Sequence, residues 1–104
     1  MGSETVQQRG TILIRRTKLA PGEATPWHKD PFPRVSVVLA GDALLIEYRD
    51  GSFPERVELS SGQVDWEEPN ERVHRAVNVG VASYEEVTVV MLDRPDAVPQ
   101  PEDA

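Results

Sequence analysis

Apolar and β-branched residues along this chain fall in short runs broken by turn residues, and no run keeps a helical period. The first clear run is Thr11 to Leu19, where Ile12, Leu13 and Ile14 open a strand that the Pro21-Gly22 turn ends. Ala24 to Asp30 reads as a short extended segment. Pro31 and Pro33 then remove two backbone donors and restrict the residues before them, which suits a loop rim. Arg34 to Leu39 stops at Gly41-Asp42, and Ala43 to Tyr48 runs on to Asp50-Gly51, so these two segments read as a hairpin. Further strands are expected at Glu55 to Leu59, Gln63 to Trp66, Val73 to Asn78 and Tyr84 to Leu92. Seven or eight short strands without a helix predict an all-β sandwich or barrel over residues 11–92. Residues 1–10 are polar and without period, and read as a loose, flexible arm. Residues 93–104 carry Pro95, Pro99 and Pro101 among acids, and read as a tail that is disordered or a packing arm.

Composition narrows the function classes. A chain of 104 residues holds one compact domain. With no cysteine, disulfides, thiolate catalysis and zinc–sulfur sites are excluded. The net charge of −7, from 18 acids against 11 bases, repels nucleic acid. Asp65, Glu67, Glu68, Glu71, Glu85 and Glu86 contribute much of that excess and read as a solvated face. No apolar run approaches the roughly 20 residues of a membrane helix, and no secretory signal pattern is present, so no membrane association and a cytoplasmic location are expected.

Strand alternation places the candidate chemistry. His28 and Asp30 point one way from their strand, while Trp27 and Lys29 point the other. In the next strand Arg34, Ser36 and Val38 share one face, a mixture of polar groups such as a pocket has. Asp30 and Arg34 either pair with each other at the pocket mouth or leave Arg34 facing inward, where its fork of donors suits an organic anion. Trp27 and Trp66 read as packing or interface residues, and Asn78 as a strand-end residue that satisfies backbone groups.

Two stretches resemble the motifs of the cupin superfamily. GEATPWHKDPFPRVSVVLAG matches the first at Gly22, His28 and Gly41, with Asp30 where a second histidine is expected and Arg34 where a glutamate is expected. GQVDWEEPNERVHRAVN matches the second at Gly62, Pro69, His74 and Asn78, with one extra residue before Pro69 and Glu71 in place of glycine. The resemblance implies a single-domain jelly-roll β-barrel, a double-stranded β-helix, with a central pocket. It also implies a centre of three histidines and a glutamate around iron, manganese, nickel or zinc, from which this chain departs at two ligands.

Two readings follow. In one, His28, Asp30 and His74 form a two-histidine, one-carboxylate metal site in an enzyme acting on a small organic acid, with Arg34 and Ser36 binding substrate. In the other, the pocket is metal-free or non-catalytic and holds a small anion through Arg34. The two histidines are then acid–base groups or satisfied core residues. Open strand edges favour a homodimer.

Overall fold

The computed structural model describes residues 3–102, and every element among them is a strand. Nine strands run β1 (Ser3–Arg9), β2 (Ile12–Leu19), β3 (His28–Asp30), β4 (Arg34–Ala40), β5 (Ala43–Tyr48), β6 (Glu55–Glu58), β7 (Val64–Glu67), β8 (Asn70–Asn78) and β9 (Tyr84–Met91). They form two antiparallel sheets, β1-β2-β9-β4-β7 and β3-β8-β5-β6, in a jelly-roll arrangement that bears out the all-β expectation. Among the described residues no helix is long and apolar enough to cross a membrane.

Two expectations change, and of the two readings of the tail the packing arm is the one found. Ser3–Arg9 is no loose arm: it pairs along its whole length with β2, from Ser3 opposite Lys18 to Arg9 opposite Ile12. Its polar side chains hid a strand whose hydrogen bonds, rather than buried apolar groups, fix it. Met1 and Gly2 lie outside the described residues. The segments 34–39 and 43–48 do not pair as a hairpin: β4 pairs with β7 and β9, and β5 with β6 and β8. The chain crosses between sheets at Gly41, whose φ of 130° is strained for any side chain. A Cβ there would also stand 3.0 Å from Tyr84 Cδ1. Finally, the tail packs back on the body. Val98 joins an apolar cluster of Leu13, Val90, Leu92 and Phe32, and the Glu102 amide donates to the Trp27 carbonyl at 2.7 Å. Asp103 and Ala104 lie outside the described residues.

The second core cluster joins Leu19, Val38, Leu44 and Tyr84 with Ile46, Leu59 and Ala76, and most of its members also line a cavity between the sheets. Asn78, 1% exposed, pins the end of β8: its side-chain amide donates to the carbonyls of Leu19 and Ala82, and its oxygen accepts from the Gly80 amide. That is the strand-end role expected of it.

Candidate metal centre and cavity

The antiparallel register of β3 and β8 sets His28 directly opposite His74. A register shift between His28 and Asp30 then places Asp30 against Asn70. The imidazole centroids stand 4.6 Å apart. Asp30 and His74 are buried and His28 is partly open to the cavity. One oxygen, Asp30 Oδ2, lies 2.8 Å from His74 Nε2, 3.5 Å from His28 Nε2 and 3.6 Å from Arg34 Nη2. The metal-ligating atoms of His28, Asp30 and His74 all lie within 4.8 Å of one another.

Backbone carbonyls orient both rings. His28 Nδ1 donates to the Pro26 carbonyl and His74 Nδ1 to the Arg72 carbonyl, each at 2.7 Å. A carbonyl only accepts, so each Nδ1 carries a proton and each Nε2 is turned toward the carboxylate. Two groups with lone pairs then face each other, and a cation must stand between them. A second proton on the imidazole fills that role, or a metal ion does. Backbone-anchored Nδ1 with Nε2 turned inward is how histidine is held for metal ligation, and two nitrogens with one carboxylate oxygen form a donor set suited to divalent transition metals.

Electrostatics in the metal-free state follow from the same contacts. Burial would push the Asp30 carboxyl up, but hydrogen bonds from His28 and His74 and the charge of Arg34 outweigh it and hold the group far below the usual carboxylate range. Burial would likewise lower the His28 imidazole. Its hydrogen bond and attraction to Asp30 outweigh that effect, and the group is raised above its ordinary value of 6.5.

The cluster opens on a cavity of about 490 Å³ between the sheets, a size usual for small-molecule sites. Arg34 and Ser36 both line it, as their shared face required. Arg34 keeps its ion pair with Asp30 across four residues, but the pair is largely buried and Arg34 Nη1 has no hydrogen-bond partner. The expectation that Asp65, Glu67 and Glu86 lie on a solvated face is corrected: all three line the cavity. Alternation in Tyr84-x-Glu86-x-Thr88 and Asp65-x-Glu67 was the available signal, and it leaves open which face is buried. Glu86 accepts from Tyr84 Oη and from Thr88 Oγ1, the latter at 2.6 Å. Burial, followed by the charge of Glu86, raises the Tyr84 hydroxyl well above its usual range. Trp27 points away from the cluster, with the Arg75 guanidinium 4.4 Å from its ring centroid, and Trp66 is 58% exposed on the outer face of the five-stranded sheet.

Solved structures with this architecture settle the fold. A cupin domain protein from Bordetella pertussis Tohama I superposes with a TM-score of 0.73 at 22% identity, covering 86% of this chain and 92% of that one. The chain has the cupin fold. A double-stranded β-helix protein from Klebsiella pneumoniae subsp. pneumoniae MGH 78578 gives a TM-score of 0.70 at 19% identity, over 99% of this chain and 85% of its own. Oxalate oxidase in complex with the substrate analogue glycolate gives 0.59 at 21% identity, over 82% of this chain and 44% of that longer one. No family profile matches the sequence. No curated protein is significantly similar to it. This chain departs from the expected ligand pattern at Asp30 and Arg34, while its two histidines and one carboxylate still converge.

Proposed function

We propose that this cupin is a metal-dependent enzyme acting on a small organic molecule, with His28, Asp30 and His74 holding one divalent transition metal. The observation that carries the reading is the facing of two backbone-anchored imidazole Nε2 atoms toward Asp30 Oδ2, at 2.8 and 3.5 Å. Three protein ligands are fewer than such metals accept, so a bound ion would keep positions for a substrate. A bound metal would polarise a substrate oxygen there as a Lewis acid. The chain's own groups supply the rest. The carbonyls of Pro26 and Arg72 fix the rings. Arg34 balances the Asp30 charge at 3.6 Å. Leu44, Ile46 and Val57 give the cavity an apolar wall that limits water. Oxalate oxidase shares the fold and acts on a small molecule, which is compatible with this reading.

Arg34 favours a second, metal-free reading, because a guanidinium beside Asp30 supplies positive charge where a metal would otherwise be needed. The discriminating experiment treats the protein with chelator, reconstitutes it with iron, manganese, nickel or zinc, and follows a small-molecule library by NMR. Consumption of a compound only by a reconstituted sample, abolished in His74→Ala, is the expected result. Turnover that is equal with and without metal would contradict the metal reading.

We also propose that two copies pair face to face rather than edge to edge. Antiparallel partners share a face, so Ile14, Val89, Val35 and Trp66 form one apolar row across the outer side of the five-stranded sheet. Val87, Val37 and Val64 form a second. Ile14 is 39%, Val64 62% and Trp66 58% exposed. A second copy offers the same two apolar rows, with Arg16 continuing the second row on β2, as a self-complementary two-fold interface requires.

A further inference from the structure

The five-stranded wall of the cavity carries polar groups that the metal reading uses only in part, Arg34 through its pair with Asp30 and Glu67 not at all. Arg34 stands opposite Glu67 across β4 and β7, and Ser36 stands between Asp65 on β7 and Thr88 on β9. Although Arg34 and Glu67 are register partners, they form no ion pair. Glu67 makes neither a hydrogen bond nor an ion pair among the described residues. Arg34 Nη1 is shut off from solvent without an acceptor. This wall therefore holds a buried donor lacking an acceptor and a carboxylate lacking a donor, in one cavity. A native fold seldom leaves a buried donor unpaired, because each one costs about 1–3 kcal/mol.

The chemistry of the missing partner follows from what each candidate would meet. A carboxylate would satisfy Arg34 but would face Asp65, Glu67 and Glu86, three like charges lining the same cavity. An ammonium would satisfy Glu67 but would stand beside Arg34. A hydroxyl both accepts and donates, and adjacent hydroxyls on one carbon frame meet Arg34 and Glu67 together without adding charge. Across the cavity Leu44, Ile46 and Val57 offer an apolar surface suited to the C–H face of such a frame.

We propose that the cavity binds a neutral polyhydroxylated molecule of monosaccharide size, with hydroxyls donating to Glu67 beside the charge of Arg34. The inference deepens the reading of this cavity as a substrate site and rests on it. It replaces the organic acid expected from Arg34 alone, because that expectation did not include the carboxylates around it. Glu86 is already held by Tyr84 and Thr88, so it contributes a fixed negative edge that disfavours anions.

The test is an amide-shift NMR titration of the full chain, as purified, with D-glucose, D-mannose, D-ribose and myo-inositol, and separately with malonate and putrescine. At least one neutral polyol should give saturable shifts at Ser36, Asp65 and Thr88. Glu67→Gln, which keeps size and shape, should weaken that binding about tenfold, the loss expected for a charge-assisted hydrogen bond. Glu67→Asp, which withdraws the carboxylate, should weaken it as well. Malonate or putrescine binding in place of every polyol would overturn the proposal, as would no saturable polyol shift at roughly 10 mM. Unchanged polyol affinity in both variants would overturn it too. Metal content measured on the same samples separates the two readings. Metal without polyol binding sinks this inference alone, and polyol binding without metal sinks the metal centre alone.

Discussion

His28 and His74 stand directly opposite each other across the β3–β8 ladder, and both turn Nε2 toward the same oxygen of Asp30. Register brings these distant residues together. A slip of one residue would present Trp27 to the cavity instead of His28. The Pro26 and Arg72 carbonyls then fix each ring, so the site is organised before any ligand arrives.

The metal-free cluster gives stability a defined pH dependence. His28 is raised in the fold, so its contribution is complete below its ordinary value of 6.5 and is lost as pH rises through the higher folded value. Asp30 is lowered in the fold, so its contribution is present above 3.8 and is lost as pH falls toward the lower folded value. The thermal midpoint of chelator-treated protein should fall as pH rises above the ordinary histidine value of 6.5. Metal competes with protons for Nε2, so the metal-loaded midpoint should rise over the same range. Parallel profiles in the two states would argue against a shared site.

Asp30→Asn should destabilise chelator-treated protein by about 3 kcal/mol in urea unfolding, because the buried arginine and imidazoles lose their counter-charge. A loss below about 1 kcal/mol would mean that the carboxylate is not the hub of the cluster.

Gly41→Ala tests the crossing between sheets. At Gly51, with φ of 85° and no atom near a would-be Cβ, an alanine meets only backbone strain of about 1 kcal/mol. At Gly41 it meets Tyr84 as well, so Gly41→Ala should cost about 1–3 kcal/mol and exceed Gly51→Ala. Equal losses would remove Tyr84 from the account.

Much of this was legible in the chain because period-two patterns with turn residues mark strands one at a time. Ala43–Tyr48 was placed to the residue, and Tyr84 to Leu92 differs from β9 by one residue at its end. Pairing was less legible. The Gly41-Asp42 turn looks like a hairpin, and only the pairing of β4 with β7 and β9 shows that it is a corner between sheets. β1 was missed because an edge strand held by β2 needs little apolar content. At the site, His28, Asp30, Arg34 and Ser36 were found by alternation. Asp65, Glu67 and Glu86 were not, because an acid on an alternating strand looks alike whether its face meets water or a cavity.

Trp66→Glu and Ile14→Glu place charge in the apolar row of the outer sheet face. Light scattering should give a dimer for the wild type and a monomer for either variant. A wild-type monomer at about 100 μM would contradict face-to-face pairing.

The most direct measurement is element-resolved metal stoichiometry of protein purified without chelator and after reconstitution with iron, manganese, nickel and zinc, for wild type, His28→Ala and His74→Ala. The account predicts about one metal ion per wild-type chain and a loss in both variants. A wild type that binds none of the four metals, or variants that keep the wild-type content, would contradict a centre at His28, Asp30 and His74.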